Sequence, residues 1–263
     1  MRWFLPVLLL LLSCTKESQI EQKALALLWE YGGIVRGDTL KKRLAMVFTG
    51  DEFADGGEFI LNTLQEHQVK GSFFLTGNFY RKPEFVPLIE QLKADGHYLG
   101  AHSDRHLLYC AWEDRDSLLV SQDSFRQDIE DNYAEMQRFG IQKAEATFFL
   151  PPYEWYNDSI SRWTNELDLH LINFTRGTRS HADFATPDLS YYQSSETILQ
   201  SIFTYEDTAP NGLNGFLLLS HIGTDPRRTD KFYRLLPTLI DSLQAQGSQL
   251  VRVDELLPTN PDE

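Results

Sequence analysis

Two histidines separated by three residues are the strongest chemical signal in this 263-residue chain. His102 and His106 begin and end the segment His-Ser-Asp-Arg-His. If this segment makes one helical turn, both imidazoles lie on the same side of it, with Cβ atoms about 6 Å apart. Imidazole pairs at such a separation bind divalent cations. The spacing therefore predicts a metal site, although two histidines alone do not complete one.

An acidic pair earlier in the chain offers the missing carboxylate. Asp51 and Glu52 follow an apolar run, and Asp55 is close enough in sequence to be a further candidate. Two imidazoles and one carboxylate leave coordination positions open for water. An ion in such a site activates water and polarises a carbonyl group. The residue types therefore favour a hydrolytic centre over a structural metal site.

Three further groups of polar or aromatic residues also follow or end apolar runs. Pro151-Pro152-Tyr153-Glu154 follows one run, Thr175-Arg176 belongs to the end of the next, and His221 ends another. The carboxyl ends of parallel strands lie at one edge of a sheet, where the active sites of α/β proteins collect. We therefore expect these residues to meet the two histidines and the acidic pair in one site.

Apolar runs of strand length alternate along the chain with amphipathic stretches of helical spacing. Strands are predicted at Leu44–Thr49, Val69–Thr76, His97–His102, Ala146–Leu150, Leu169–Thr175, Gly215–His221 and Gln249–Val253. Helices are predicted at Glu58–Glu66, Phe85–Ala94, Ser121–Phe139, Asp158–Leu167, Ser194–Tyr205 and Thr229–Gln246. The alternation predicts a mostly parallel sheet with helices outside it. Seven strands are compatible with an open doubly wound sheet or with a barrel.

The composition is that of one acidic domain. Hydrophobic residues make up 42% of the chain, enough for one core, and no Pro/Gly/Ser-rich linker or repeat divides its interior. The net charge of −14 argues against nucleic-acid binding and against broad attraction to anionic lipid. We expect a single domain over residues 25–258 and a tail over 259–263, with the oligomeric state left open. Cys110 lies in an apolar run and is expected to pack in the core.

The first residues have the pattern of an export signal. The apolar run Trp3–Leu12 is too short to span a bilayer as a helix. The segment Leu11-Leu12-Ser13-Cys14 resembles the lipobox of bacterial lipoproteins, in which the cysteine is acylated. The pattern predicts a signal peptide over residues 1–13, lipidation at Cys14 and a polar tether over 14–24. We expect an exported protein, periplasmic or on the cell surface, that contacts the membrane only through its lipid anchor.

Five segments, in order, resemble the motifs of the polysaccharide deacetylases (carbohydrate esterase family 4, with a NodB-homology domain). They are Thr49-Gly-Asp-Glu52, Val69-Lys-Gly-Ser-Phe-Phe-Leu-Thr-Gly77, His102-Ser-Asp-Arg-His106, Phe149-Leu-Pro-Pro-Tyr153 and Leu217-Leu-Leu-Ser-His221. The ordered set is more specific than any one member, and it spans roughly residues 44–257. The resemblance implies a distorted (β/α)7 barrel. It also implies metal-dependent removal of acetyl groups from N-acetylated, or O-acetylated, polysaccharide or peptidoglycan sugars, with zinc as the expected ion.

The resemblance implies roles for Asp51 and Glu52 that depend on how the first motif is aligned with that of the family. Two alignments, or frames, are possible. In the ungapped frame Asp51 takes the general-base position, and Glu52 joins His102 and His106 as a metal ligand. A shift of one residue makes Asp51 the ligand and leaves Gly50 at the base position. Because Thr49 is retained in the ungapped frame, that frame is preferred.

The remaining motifs imply a proton donor and substrate contacts. His221 takes the position of the acid that protonates the leaving amine. The backbone N–H of Tyr153 is expected to stabilise the oxyanion. Tyr153, Glu154 and Trp155 are the expected substrate-binding residues.

One departure from the family pattern bears on catalysis. Leu150 stands where the family has an arginine that holds the base carboxylate, and loss of a cation raises the pKa of a nearby buried carboxyl group. Arg176 or Arg179 can supply the charge instead. Otherwise the chain is a degenerate, carbohydrate-binding lipoprotein. A third alternative is a hydrolase of other non-peptide C–N bonds on the same scaffold.

Overall fold

The structure, a computed structural model, describes residues 27–258. The predicted signal peptide, Cys14, the tether and the tail lie outside these residues. The strands described are β1 (Leu28–Glu30), β2 (Gly33–Arg36), β3 (Arg43–Gly50), β4 (Ser72–Leu75), β5 (Tyr98–Ala101), β6 (Phe148–Phe149), β7 (His170–Leu171), β8 (Leu217–His221) and β9 (Gln249–Leu250). Strands β3 to β9 form one parallel sheet in the order β7-β6-β5-β4-β3-β8, with β9 also paired to β3. Each predicted strand overlaps one of these seven, so their number and parallel arrangement are confirmed.

A short hairpin helps to close the curled sheet into a barrel. Strand β1 pairs antiparallel with β2, and Ile34 of β2 bridges to Ile172, just after β7. A little further along, the Thr175 N–H donates to the carbonyl of Leu217 in β8, at 3.1 Å. The chain after β7 thus approaches the opposite end of the sheet, and the expected distorted (β/α)7 barrel is confirmed. The sequence did not predict the hairpin, because its strands are too short to show a periodic pattern.

Alternation along the strands divides the apolar side chains between two cores. On β3, Ala45 and Val47 face the interior of the barrel, whereas Met46 faces the surrounding helices. Leu150, just after β6, also belongs to the interior core and is almost completely buried. Thr49 is the next inward-facing residue of β3, so it lies at the mouth of the barrel interior.

Helices cover the outer face of the sheet. Those described are α1 (Gly57–Glu66), α2 (Gly77–Arg81), α3 (Val86–Ala94), α4 (Gln122–Arg138), α5 (Asp158–Asn165), α6 (Ser195–Thr208), α7 (Leu236–Ala245) and α8 (Val253–Leu256). Six of them overlap the six predicted helices. Within residues 27–258 none has the length and apolar character needed to cross a membrane. Cys110 is fully buried in the outer core, which confirms its predicted packing role.

Helix α4 is the longest helix described, and a polar side chain on it ties two strand ends together. Its start is set by Ser121, whose hydroxyl accepts a hydrogen bond from the Ser124 N–H at 3.2 Å. On its buried face, Asn132 accepts from the His102 N–H at 3.0 Å and donates to the Leu75 carbonyl at 3.2 Å. One side chain therefore satisfies backbone groups at the ends of both β5 and β4.

Replacing Asn132 tests this tie. Asn132→Ala leaves a buried N–H and a buried carbonyl without partners, so we expect the free energy of unfolding to fall by about 1–3 kcal/mol. Urea denaturation followed by circular dichroism measures the change. Gln127→Ala, an exposed position on the same helix, serves as the control and should change stability by less than about 0.5 kcal/mol. Equal effects of the two substitutions would contradict the assigned role of Asn132.

Candidate active site

Residues from the carboxyl ends of four strands line one cavity of about 780 Å³. Asp51 directly follows β3, His102 directly follows β5, Glu154 lies beyond β6, and His221 ends β8. The predicted convergence at this edge of the sheet is therefore present in the structure. Thr175 and Arg176 follow β7 as expected, and the Arg176 side chain also lines the cavity.

His102 is held in one orientation and one tautomer. Its ring Nδ1 lies 2.7 Å from the carbonyl oxygen of Leu150. A carbonyl oxygen only accepts, so Nδ1 carries the proton and Nε2 retains a free lone pair. Burial lowers the pKa of His102 well below its usual range, and the nearby His106 acts in the same direction. His102 is therefore a neutral imidazole with one nitrogen available as a ligand.

His106 reaches His102 through a loop and not through the helical turn that the spacing predicted. Ser103 and His106 both have left-handed backbone conformations, with φ of 71° and 56°. The Ser103 hydroxyl accepts a hydrogen bond from the His106 N–H at 2.9 Å, which stabilises this turn. The two imidazole centroids are 5.1 Å apart. The prediction of paired rings is confirmed, but the local conformation that pairs them was predicted wrongly.

Two buried acidic side chains stabilise the loop between His102 and His106. Asp128 of α4 accepts from the Tyr109 hydroxyl at 2.6 Å and from the Arg105 N–H at 3.1 Å. Asp104 forms an ion pair with Arg81 at 2.6 Å. Because both acids are almost completely buried, their partners fix the course of the chain between the two histidines.

Of the predicted acidic pair, Asp51 is the residue placed beside the histidines. Its Oδ1 accepts from the Thr76 hydroxyl at 2.8 Å and from the Asn78 amide at 3.2 Å. Burial lowers the pKa of His106, and the negative charge of Asp51 partly opposes that effect. Glu52 is exposed, although it too lines the cavity.

Asp55, the further acidic candidate, is engaged elsewhere. Its carboxylate pairs with Lys231 at 2.9 Å and accepts from the Thr224 N–H at 2.8 Å and from the Tyr233 hydroxyl at 3.2 Å. These contacts lie along a neighbouring depression of the surface. Asp55 therefore has a structural role in the loop that follows β8.

His221 is paired with an acid that the sequence did not single out. Asp183 lies in a 3₁₀ turn, Ser180–Phe184, and its carboxylate contacts both Nδ1 of His221 at 2.6 Å and the His221 N–H at 2.9 Å. Burial by itself lowers the pKa of His221, but the charge and hydrogen bond of Asp183, with a contribution from Glu154, outweigh it and raise the pKa. No spacing pattern marks Asp183, because 38 residues, including helix α6, separate it from His221 in sequence.

Glu154 lies on the cavity wall in an unusual turn. Tyr153 and Glu154 both have left-handed backbone conformations, with φ of 58° and 54°. The Asn173 amide donates to the Glu154 carbonyl at 2.9 Å and supports the turn. Loss of solvent around the carboxyl group raises the pKa of Glu154 to about 7, while the charge of His221 lowers it and that of Asp183 raises it. A group with this pKa exchanges protons readily at neutral pH.

The family arginine has no counterpart at its expected position. Leu150 is buried in the interior core. Arg176 reaches the cavity but also forms an ion pair with Glu30, at 3.4 Å. Arg179 is exposed and is not among the residues that line the cavity. Neither Arg176 nor Arg179 therefore places a buried guanidinium at the position of the family arginine.

Two buried polar atoms at the cavity lack hydrogen-bond partners among residues 27–258. They are the hydroxyl oxygen of Thr49 and Nδ1 of His181. Both residues line the cavity, and the His181 ring stacks on Phe174 with centroids 4.4 Å apart. The wall of the cavity thus contains unsatisfied polar atoms on two residues, of which the sequence had not singled out His181.

Two imidazoles and a carboxylate are suitable ligands for a divalent ion, but in this structure the three side chains are not close enough together to bind one. The His102–His106 pair is neutral, with a free Nε2 on His102, and Asp51 is the neighbouring carboxylate. Over the described part of the chain, no three His, Cys, Asp or Glu side chains are grouped closely enough to hold an ion. The paired imidazoles are thus the preformed part of a candidate metal centre.

Residues 36–172 match the family model described as polysaccharide deacetylase, over just more than half of the chain. The chain belongs to the polysaccharide deacetylase family. It is similar to the uncharacterized Bacillus subtilis protein YlxY, with 28% identity over 227 residues. That alignment covers 85% of this chain but only 60% of the length of the relative.

Solved structures share the fold of this family member. The Bc1960 peptidoglycan N-acetylglucosamine deacetylase has a TM-score of 0.69 and 19% identity, over 93% of this chain and 97% of that chain. BA3943 from Bacillus anthracis, a CE4 family pseudoenzyme, has a TM-score of 0.63 and 19% identity, over 87% of this chain and 69% of that chain. At these identities the likeness shows a common fold, which agrees with the barrel expected from the sequence.

Substitution of Asp183 tests the electrostatics of the site. Asp183→Asn removes the negative charge that faces Nδ1 of His221, so we expect the pKa of His221 to fall. The protonated form should then be lost at lower pH than in the unchanged protein. An NMR titration of the imidazole measures the shift.

The control for this titration is another histidine–aspartate pair. Asp241→Asn removes the exposed partner of His67, 3.2 Å away, and should leave the His221 titration unchanged. An unaltered His221 pKa in Asp183→Asn would show that the pair does not set the charge of this histidine.

Proposed function

We propose that this protein is a metal-dependent hydrolase that removes acetyl groups from N-acetylated, or O-acetylated, glycans of the chitin or peptidoglycan type. One observation carries the proposal. The imidazoles of His102, which is buried, and His106, which is partly buried, face the same cavity as a neighbouring carboxylate and as His221, which is paired with an acid. Membership of the deacetylase family supports the class of reaction. The related Bc1960 structure, itself named a peptidoglycan N-acetylglucosamine deacetylase, supports the class of substrate.

We also propose a location for the protein in the cell envelope, where such glycans occur. Acylation at Cys14 after export would hold the enzyme at the outer side of a bacterial membrane. Its substrate would then be cell-wall or extracellular glycan. The acidic surface is compatible with a neutral acetylated sugar chain.

His102 and His106 would hold the metal ion, proposed to be zinc, with Asp51 as the carboxylate ligand. The charge of Asp51 acts on His106, whereas the Glu52 side chain is exposed; both observations support the frame in which Asp51 is the ligand. When bound at such a site, a divalent ion lowers the pKa of water and polarises the acetyl carbonyl.

In this frame Gly50 stands at the family's base position, and we assign the proton acceptor to Glu154. Its carboxyl group lines the cavity, and its pKa of about 7 leaves a large ionised fraction at neutral pH. Ionised Glu154 accepts a proton from the attacking water as the C–O bond forms. Because Leu150 replaces the family arginine, no guanidinium there depresses the pKa of this acceptor.

His221 supplies the proton that the leaving group needs. Asp183 favours its protonated form, and the imidazolium donates to the amine nitrogen as the C–N bond breaks. The products are acetate and a free amine on the sugar. The backbone N–H of Tyr153 is the proposed donor to the oxyanion, and the Tyr153 and Trp155 side chains contact the sugar.

A second candidate function is glycan binding without hydrolysis. Leu150 favours it, because a residue with which the family holds its base is missing. The likeness to the pseudoenzyme BA3943 is consistent with such a loss. Glycan affinity without acetate release, with or without added zinc, would establish this function. Ring opening of small cyclic amides, which leaves a new amine and a new carboxylate on the same molecule, would indicate the other C–N hydrolase alternative.

The first test removes one imidazole of the pair. We expect His106→Ala to lose the bound zinc and to reduce acetate release from N-acetylglucosamine oligomers by about 10²–10⁴-fold. Metal analysis of the purified protein and an acetate assay measure the two effects. His67→Ala removes a histidine at the end of α1 that does not line the cavity, and should retain both. Zinc content and turnover unchanged in His106→Ala would refute the proposed centre.

The second test uses pH. Because Glu154 acts in its ionised form, kcat/KM should rise as pH increases through about 7. Glu154→Gln should abolish this rise and lower kcat/KM at pH 8 by about 10²-fold or more. Asp158→Asn, an exposed acid nearby in sequence, should keep the full profile. An unaltered rise in Glu154→Gln would assign the ionisation to another group.

A further inference from the structure

Arg228, in the loop that follows β8, is a fully buried cation. The carboxylate with which it pairs belongs to Asp230 and lies 3.9 Å away, too far for a hydrogen bond. Removal of a guanidinium from water is costly unless hydrogen bonds replace those to the solvent. The contacts of Arg228 with the rest of the chain therefore indicate what this side chain does.

The guanidinium donates its hydrogen bonds to one stretch of chain. Nη1 donates to the Ala185 carbonyl at 2.7 Å, and Nη2 donates to the Gln193 carbonyl at 3.0 Å and to the Ser195 hydroxyl at 3.3 Å. These acceptors belong to residues 185–195, which lead from the preceding 3₁₀ turn into helix α6. We call residues 185–195 the connecting segment. Arg228 thus fastens the connecting segment to the loop after β8.

A neighbouring acid supports the same attachment. The Asp230 carboxylate accepts from the Ser195 N–H at 2.6 Å and from the Tyr192 hydroxyl at 3.0 Å. The Tyr192 ring in turn packs against Arg228, with 4.9 Å between the ring centroid and the guanidinium carbon. Two charged residues of the loop after β8 therefore hold the connecting segment, one as a donor and the other as an acceptor.

The connecting segment begins two residues after Asp183. The buried Asp183 carboxylate contacts Nδ1 and the backbone N–H of His221. Because Arg228 binds the Ala185 carbonyl, it holds the chain directly after the turn that carries this carboxylate. Arg228 itself is not among the residues that line the cavity. Its contacts therefore bear on the Asp183–His221 pair from outside the cavity.

The charge of Arg228 does not explain its position. Burial lowers the pKa of His221, Asp183 and Glu154 raise it, and the Arg228 cation lowers it. By charge alone, Arg228 thus disfavours the protonated form of His221. Its hydrogen bonds, and not its charge, are what support the pair that Asp183 forms with His221.

The geometry of these hydrogen bonds requires an arginine. A guanidinium is planar and presents its donors in a rigid fork, whereas a lysine ammonium is a compact point charge on a flexible stem. The fork of Arg228 reaches the carbonyls of Ala185 and Gln193, near the two ends of the connecting segment. Lysine at this position would keep the charge but would not hold both carbonyls in the same arrangement.

We propose that Arg228 is a positioning residue that keeps the Asp183 carboxylate against His221 by fastening the connecting segment to the loop after β8. Arg228 acts through Asp183 and does not contact the reacting atoms. The inference rests on the proposed function for the role of His221 as proton donor. The attachment itself can be tested without turnover.

A double-mutant cycle, read by NMR titration of the His221 imidazole, tests the inference. Asp183→Asn should lower the pKa of His221 in the unchanged background. It should lower that pKa less in Arg228→Lys, because the carboxylate is already displaced there. A direct effect of the charge at position 228 is present with and without Asp183, so it cancels from the comparison. Equal effects of Asp183→Asn in the two backgrounds would overturn the inference.

Arg36→Lys is the matched control. The Arg36 guanidinium also donates to two backbone carbonyls, those of Gly212 at 2.7 Å and Asn214 at 2.9 Å. Both acceptors precede β8, at the end of the strand opposite to His221. Loss of this fork should lower stability but leave the effect of Asp183→Asn on the His221 pKa unchanged. An equal reduction of that effect in Arg36→Lys would assign it to general loss of stability and overturn the inference.

A second variant covers the case in which a buried lysine prevents folding. Arg228→Gln is neutral, and its carboxamide can donate to one of the two carbonyls but not to both. The effect of Asp183→Asn on the His221 pKa should again be reduced. Near-UV circular dichroism checks that each variant is folded, and an unreduced effect in a folded Arg228→Gln protein would also contradict the inference.

The acetate assay separates this inference from the proposed function. If the protein is a hydrolase, Arg228→Lys should lower kcat by about 10–10²-fold with little change in KM, because the proton donor and not the sugar contacts is disturbed. An unchanged kcat would overturn the positioning role. Absence of acetate release by the unchanged protein would refute the hydrolase, whereas a reduced Asp183→Asn effect in the cycle would still support the role of Arg228.

Discussion

The hydrogen bond from Nδ1 of His102 to the Leu150 carbonyl joins the carboxyl ends of two neighbouring strands. It determines which ring nitrogen faces the cavity, and Asn132 holds the same histidine through its backbone N–H. Because both partners are buried, rotation of the ring would leave polar groups unsatisfied in the core. The loop that carries His106 begins directly after this histidine, so the position of His102 sets where that loop leaves the sheet.

Burial and nearby charges, among them those of Asp183 and Glu154, determine the pKa values of the histidines in the cavity. Burial lowers the pKa of His102 and His106 and favours neutral imidazoles, which suit ligands, whereas Asp183 raises the pKa of His221 against the effect of burial and favours its protonated form, which suits a proton donor. The unusual feature is Leu150: the backbone at this position orients His102, while its side chain fills the barrel interior in place of a cation. Glu154 lines the same cavity, and burial raises its pKa to about 7.

The fold and half of the site were predictable because they leave local patterns in the sequence. Seven apolar runs predict the seven parallel strands, and their ends predict which residues meet in the cavity. The helical turn at His102–His106 was predicted wrongly, because spacing does not reveal left-handed residues such as Ser103. Asp183 was not predictable, because a tertiary contact between the turn Ser180–Phe184 and the end of β8 places it beside His221, and no periodicity records that contact.

We propose that the two imidazoles form the preformed half of a metal centre in which Nε2 of His102 is one ligand atom. Zinc-edge anomalous diffraction from crystals grown with zinc tests it most directly. We expect one strong peak in the cavity, about 2.0–2.1 Å from Nε2 of His102 and also bonded to His106 and the Asp51 carboxylate. A peak bonded to Glu52 and not to Asp51, or zinc bound only away from the histidines, would contradict it.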